Sequence, residues 1–175
     1  MSRAIHPVMA ILENGDPPMQ YPCVVIGCLA LTLSCTSAVA ASGWTALGHD
    51  VLLQNKTGLQ WTRSDNGRDI NWSDAGAYCT KRGDGWRLPS IDELRSVYAT
   101  AVETKEMAPC GDAVCAAPAL LQLTSAWHWS GMAVTQEQSY DFQQLAWGLT
   151  LVNGRQTMAL RFAASASRAL CVKNT

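Results

Sequence analysis

Seven cysteines, a few histidines and a short polar-aromatic run are the residues from which this chain could build chemistry. Cys79, Cys110, Cys115 and Cys171 lie beyond the N-terminal apolar stretch and offer three options: thiol nucleophile, zinc ligand or disulfide. Zinc would recruit His49 or His128, but the four cysteines do not form two close CxxC-type pairs, the usual ligand spacing. His128 stands between Trp127 and Trp129, a setting for a packed or edge-exposed histidine rather than a general base. Asp92 and Glu93 open a helix, where the backbone dipole accounts for them. No GxSxG, HExxH, phosphate-cradling glycine loop or GxGxxG occurs, so the familiar hydrolase, metalloprotease and nucleotide signatures are missing. Glu137 and Asp141 are too few for a calcium cage. No catalytic grouping, metal or cofactor is expected.

Binding chemistry is the alternative. TQEQSYDFQQ (Thr135 to Gln144) follows WHWS and sets amide side chains beside Tyr140 and Phe142, the combination that holds sugars or peptide surfaces. His128, Trp129, Tyr140, Asp141 and Gln143 are the candidate ligand-binding residues. The competing reading is a solvated loop with two aromatics tucked into the core.

These residues need a compartment and a frame. From Pro17 to His49 there is no Asp, Glu, Lys or Arg. Within that span CVVIGCLALTL resembles the apolar core of a secretory signal, and Ala38-Val39-Ala40 supplies a small-x-small cleavage pattern. Residues 1–40 are therefore expected to be a signal peptide and 41–175 the single mature domain, with an uncleaved membrane anchor as the competing reading. Removing the leader takes away Cys23, Cys28 and Cys35 and leaves an even cysteine count, as an oxidising periplasmic or extracellular compartment favours. It also removes Arg3, Glu13 and Asp16, which brings the 13 bases and 14 acids of the whole chain into balance. A neutral domain advertises neither nucleic acid nor an anionic membrane. With 48% hydrophobic and 15% charged residues, the composition is that of a folded domain.

The elements read in order. VLLQ-NKTG-LQWT (Val51 to Thr62) predicts a hairpin, and SDNGRD a loop. Ser73 is expected to cap a first helix whose Ala75, Tyr78 and Cys79 share a face, with Trp72 just before it. Ser90 and Glu93 form a capping box for a second helix over about Ile91 to Ala101. Val102 to Ser125 reads as irregular, WHWS as a short strand, LAWGLT and RQTMALRF as a hairpin around Asn153-Gly154, and RALCVK as a last strand. Two early helices with β-structure at both ends predict an α+β domain.

The succession TGLQW, WSDAGAYC, GWRLPSIDEL, WHWS, AW…NG, RALCVK resembles the Lcl C-terminal domain, a bacterial family named for a Legionella collagen-like adhesin. The resemblance runs from about Val51 to Lys173, and GWRLP between a YC helix and an EL helix is its specific part. It implies a C-type-lectin-like fold: two helices packed on short antiparallel β-sheets, stapled by disulfides. In that fold Cys79 would pair with Cys171, as in the long-range bridge of lectin-like domains, and Cys110 with Cys115 locally. Trp72, Gly85, Trp86, Arg87, Leu88, Pro89 and Trp147 would be fold residues, with Trp86 buried and Arg87 meeting a carboxylate or backbone carbonyls. The more distant sulfatase-modifying enzymes use reactive cysteines that the bridges would consume here. The Glu-Pro-Asn, Gln-Pro-Asp and Trp-Asn-Asp triplets of calcium-dependent lectins do not occur in the mature chain. The resulting expectation is an exported, non-enzymatic binding module for a glycan or protein. A periplasmic inhibitor or immunity-type protein is the alternative, and a cryptic sulfatase-modifying-like enzyme a third reading.

Overall fold

The first hairpin shows how sequence becomes architecture. In the computed structural model, which describes residues 43–135 and 144–175, strands β2 (Val51–Gln54) and β3 (Leu59–Thr62) meet around the expected Asn55 to Gly58 turn. A strand β1 (Trp44–Ala46), which the sequence does not announce, adds to the far side of β2. On the other side of β3 lies β10 (Val172–Lys173), giving a four-stranded sheet in the order β1-β2-β3-β10. The first and last strands of the described region thus share one sheet.

Gln54 is the polar pin of this sheet. It is fully buried, yet its amide nitrogen donates to Ser96 O and Thr100 Oγ1, both at 3.0 Å. Its oxygen accepts from Trp61 Nε1, Thr57 Oγ1 and Ser96 Oγ. An interior amide is tolerated when its donors and acceptors find partners, and here they lock the sheet to a helix.

That helix is α2 (Ile91–Thr104), and its capping box is present: Ser90 Oγ accepts from Glu93 N while the Glu93 carboxylate accepts from Ser90 N. It runs a turn beyond the expected end, because no breaker follows Ala101 and Lys105 closes it in the left-handed conformation at φ 58°. Helix α1 (Trp72–Thr80) is capped by Asn71 rather than Ser73. Asn71 has the extended backbone that a cap needs, and its Oδ1 accepts from Asp74 N at 3.0 Å. Ser73 lies one residue inside the helix, and Trp72 is its first residue.

The segment expected to be irregular holds a small hairpin of β4 (Ala108–Cys110) and β5 (Ala113–Cys115). Gly111 turns it at φ +64°, and a Cβ there would stand 2.6 Å from Thr124 O, so the position demands glycine twice over. The second four-stranded sheet has the order β8-β7-β6-β9, from β6 (Trp127–Ala133), β7 (Leu145–Thr150), β8 (Gln156–Leu160) and β9 (Ser167–Arg168). β9 runs parallel to β6, an exception to the expected antiparallel pairing. RALCVK is accordingly divided between β9 and β10.

Two cores result. Leu52, Trp61, Leu94, Val97, Leu149 and Leu170 form one between the first sheet, α2 and β7. Ala75, Cys79, Trp86, Leu88, Trp129 and Cys171 form the other between α1 and β6. The GWRLP strap packs Trp86 and Leu88 into the second. Trp86 is buried with Arg82 and Lys173 against its ring. The Arg87 backbone pairs in both directions with Val172. Its guanidinium makes two 2.7 Å bonds to Glu93 and one to Leu88 O, so the carboxylate expected for Arg87 belongs to the α2 capping box. Pro89 O accepts from Gly131 N of β6. One pentapeptide therefore ties the last strand, the start of α2 and the second sheet together. Cys79–Cys171 and Cys110–Cys115 are bridged, the pairing that the family resemblance implies. Among the described residues no helix is long and apolar enough to cross a membrane.

Candidate binding surface

The loop after β3 carries a densely connected acid. Asp65 is buried. Its carboxylate accepts from Thr124 N at 2.7 Å, Thr124 Oγ1 at 2.8 Å and Gly67 N at 2.9 Å. His128 Nε2 faces it at 3.5 Å, with both side chains inaccessible to solvent. That separation is long for a hydrogen bond, so the imidazole acts on the carboxylate by proximity and polarity. Burial alone would raise the Asp65 carboxyl; the facing His128 and the Thr124 amide and hydroxyl outweigh it and hold it below the ordinary carboxylate range. Glu93 is likewise held low, chiefly by Arg87 against its own burial.

This has a sign. A carboxyl whose folded value is depressed contributes stability above the unfolded value, near 3.9 for Asp, and loses it as pH falls through the folded value. The melting temperature is therefore expected to drop from about pH 4 downward. Asp65→Asn should lower it at neutral pH and flatten that acid limb. Equal acid slopes for the two proteins would remove Asp65 from the account.

Asp65 fixes Thr124, and Thr124 Oγ1 in turn accepts from Arg168 Nε at 2.8 Å. Arg168 also pairs with Asp69, whose carboxyl that bond holds below its usual range. Asn66 Oδ1 receives Ala169 N, and Ser125 Oγ donates to Ala166 O. The Asp69–Arg168 pair thus stands on a bonded base, and two clefts share Asp69 in their linings. One, of about 390 Å³, is lined by Arg68, Asp69, Asn71, Asp74, Tyr78 and Lys81 among others. The other, of about 440 Å³, lies between Asp69, the Gly111–Asp112 turn, Thr124 and Arg168. A third, of about 420 Å³, sits over Trp72, Thr80, Arg87 and Leu88. All three are in the size range of small-ligand sites. The first two mix opposite charges with amide, hydroxyl and phenol groups, a lining that exchanges hydrogen bonds with a polar ligand.

Of the candidates named from sequence, His128 and Trp129 are not on this surface. Both have no solvent exposure; Trp129 donates to Ile70 O and packs edge-on to Trp127. Strand alternation turns them to opposite faces of β6, and a core covers each face. The expectation that they contact a ligand is corrected on that ground. Tyr140, Asp141 and Gln143 lie outside the described residues. Trp147, expected as a fold residue, is half-buried against the first core, and Gly85 turns the strap at φ +78°. Asp65, Asp69, Thr124 and Arg168 were missed. The signal available was SDNGRD itself, in which an acid precedes Asn-Gly: such an acid accepts its own loop amides. Among the described residues no three His, Cys, Asp or Glu side chains gather to hold a metal ion.

Two helices and short sheets stapled by a disulfide from α1 to the residue just before the last strand, with the first and last strands in one sheet, make the C-type-lectin-like α+β arrangement that the family resemblance implies. The chain belongs to the Lcl C-terminal domain family, whose model matches residues 50–173. No curated protein matches it. Among solved structures, botrocetin is 14% identical over 76% of this chain and 97% of its own, with a TM-score of 0.42. A complex of a von Willebrand factor A1 domain mutant with botrocetin gives 11%, 76%, 97% and 0.44. The snake venom toxin convulxin gives 15%, 75%, 92% and 0.36.

Proposed function

We propose that this protein is an exported, non-enzymatic recognition module that holds a hydroxyl-rich ligand, a glycan above all, in the two clefts beside Asp69. The observation that carries this reading is the clefts' shared wall. Asp69 lines both clefts and is neutralised by Arg168, which lines the second and is held by Thr124, so the surface is polar, preorganised and balanced in charge. Preorganised polar groups limit the ordering cost of binding. Each bridged cysteine is withdrawn from nucleophilic chemistry, and His128 is sealed inside, which supports recognition over catalysis. The bridges also suit an oxidising compartment, and residues 1–40 act as the leader that delivers the chain there.

The test uses protein exported from the full-length chain, whose mature N-terminus is expected at Ala41 by mass spectrometry. On a glycan array it should bind a restricted set of structures. Asp69→Ala and Asp74→Ala should each lose most of that binding. Asp74→Ala should change the unfolding free energy by about 0.5 kcal/mol or less, as for exposed substitutions generally. Asp69→Ala also leaves the largely buried Arg168 without its carboxylate and should cost more. Tyr140→Ala should weaken binding as well. Unchanged binding in both cleft variants, or turnover of a bound ligand, would overturn the proposal.

A further inference from the structure

One residue on the wall of the second cleft sits where its backbone least favours it. Ser167 N donates to Ala164 O at 3.2 Å, which closes a tight turn, and Ala166 at the third position of that turn has φ +55°. Ser165, at the second position, keeps a negative φ. That combination is a type II turn, whose third position calls for glycine. An alanine there carries the steric cost of its Cβ against the backbone. The turn is held in this form, because Ser125 Oγ donates to Ala166 O at 2.6 Å and Ser167 opens β9. What alanine adds over glycine is one methyl, on an exposed residue that lines the cleft.

Ala113 and Ala126 line the same cleft, both packed against the first core. Their methyls and that of Ala166 share the space with polar groups that have bonding capacity left. Among the described residues the Asp112 carboxylate and Ser165 Oγ make no hydrogen bond. Arg168 engages Thr124 through Nε, and Asp69 and Ser167 O through Nη1; its Nη2 makes no bond to a described residue. A ligand group that answers all of these is short, ends in a methyl, and offers both an N–H and a carbonyl oxygen. The acetamido group of an N-acetylated sugar does so: methyl to the alanines, N–H to a carboxylate, oxygen to a hydroxyl or guanidinium. A plain hydroxyl would leave the methyls uncovered, and a deoxy-sugar methyl would leave the polar groups unanswered. On the reading that the clefts hold glycans, we infer that the second cleft selects an acetamido sugar, with the Ala166 methyl as a specificity-determining contact.

Tri-N-acetylchitotriose and cellotriose share one β-linked glucose backbone and differ in the acetamido groups, so the pair isolates that group. In calorimetric titrations of protein exported from the full-length chain, the acetylated trisaccharide should bind about tenfold more tightly than cellotriose. Ala166→Gly should narrow that preference about fourfold, the worth of one buried methyl. The same variant should raise the melting temperature by about 2 °C, because relief of the left-handed alanine outweighs the freedom of glycine in the unfolded chain. A merely structural role for Ala166 would not weaken binding while stability rises. Asp112→Ala should narrow the preference as well. Asp74, which lines the first cleft and not the second, is the control: Asp74→Ala should weaken both trisaccharides alike. Equal affinity for the two trisaccharides, or a preference untouched by Ala166→Gly, would overturn the inference and leave the glycan reading standing. Binding of neither, with other glycans retained on the array, has the same meaning. An array that retains no glycan overturns both.

Discussion

Trp129→Ala is expected to cost about 3–5 kcal/mol of unfolding free energy, the range for truncating a buried Trp. The ring has no solvent exposure and lies 4.5 Å, centroid to centroid, from Trp127 in an edge-on arrangement. Neighbouring Trp127 in turn covers Gly148, where a Cβ would fall 2.1 Å from its ring, and glycine has no side chain to fill the void. The substitution also strips Ile70 O of its indole donor, and an orphaned buried group adds about 1–3 kcal/mol. Denaturant unfolding of the variant measures the sum. A stable Trp129→Ala protein that had lost only ligand binding would return this residue to the surface and contradict the buried placement.

The second large effect is that of the long disulfide. Cys79 and Cys171 are 92 residues apart, and closing a loop of that length stabilises by about 4–5 kcal/mol on the chain-entropy argument. Cys110 and Cys115 are 5 apart, for which the same relation gives about 2 kcal/mol. The double variant Cys79→Ser, Cys171→Ser should therefore unfold at much lower denaturant than Cys110→Ser, Cys115→Ser. It also places two hydroxyls in a core shared by Trp86 and Trp129. The reverse order would mean that the small hairpin, and not the long tie, limits stability.

Where local grammar is strong, the sequence was a good guide. The Asn/Gly hairpins and the Ser90–Glu93 box were legible because their signals lie within a few residues of one another. The strap GWRLP was legible as a unit, but its partners were not: Val172 and Gly131 are distant in sequence, and nothing near Arg87 announces them. Helix α1 was expected to begin at Ser73, but Asn71 is the residue with the extended backbone that a cap needs. Alanine and proline made Val102 to Ser125 look shapeless, although Cys110, Gly111 and Cys115 hold a hairpin there. The candidate site was least legible. His128 was placed among the candidate ligand-binding residues although its tryptophan flanks also fitted a packed histidine, and it has no solvent exposure. The residues that do shape the clefts are an acid in a loop and an arginine 99 positions later, a juxtaposition only the fold creates.

The alternation of Ala169, Leu170, Cys171 and Val172, all without solvent exposure, gives the end of the chain an unusual part in the order of folding. Leu170 and Val172 fill one core, and Ala169 and Cys171 fill the other. Val172 also supplies the strand partner of Trp61. Neither core can close while these four residues are missing, so a chain emerging during synthesis has local helices and hairpins but no completed interior. Its decisive contacts span most of the domain, and long-range closure of this kind is slow. A chain that lacks this last run would thus have local elements but no packed interior, and the Cys79–Cys171 bridge can close only once the run is in place.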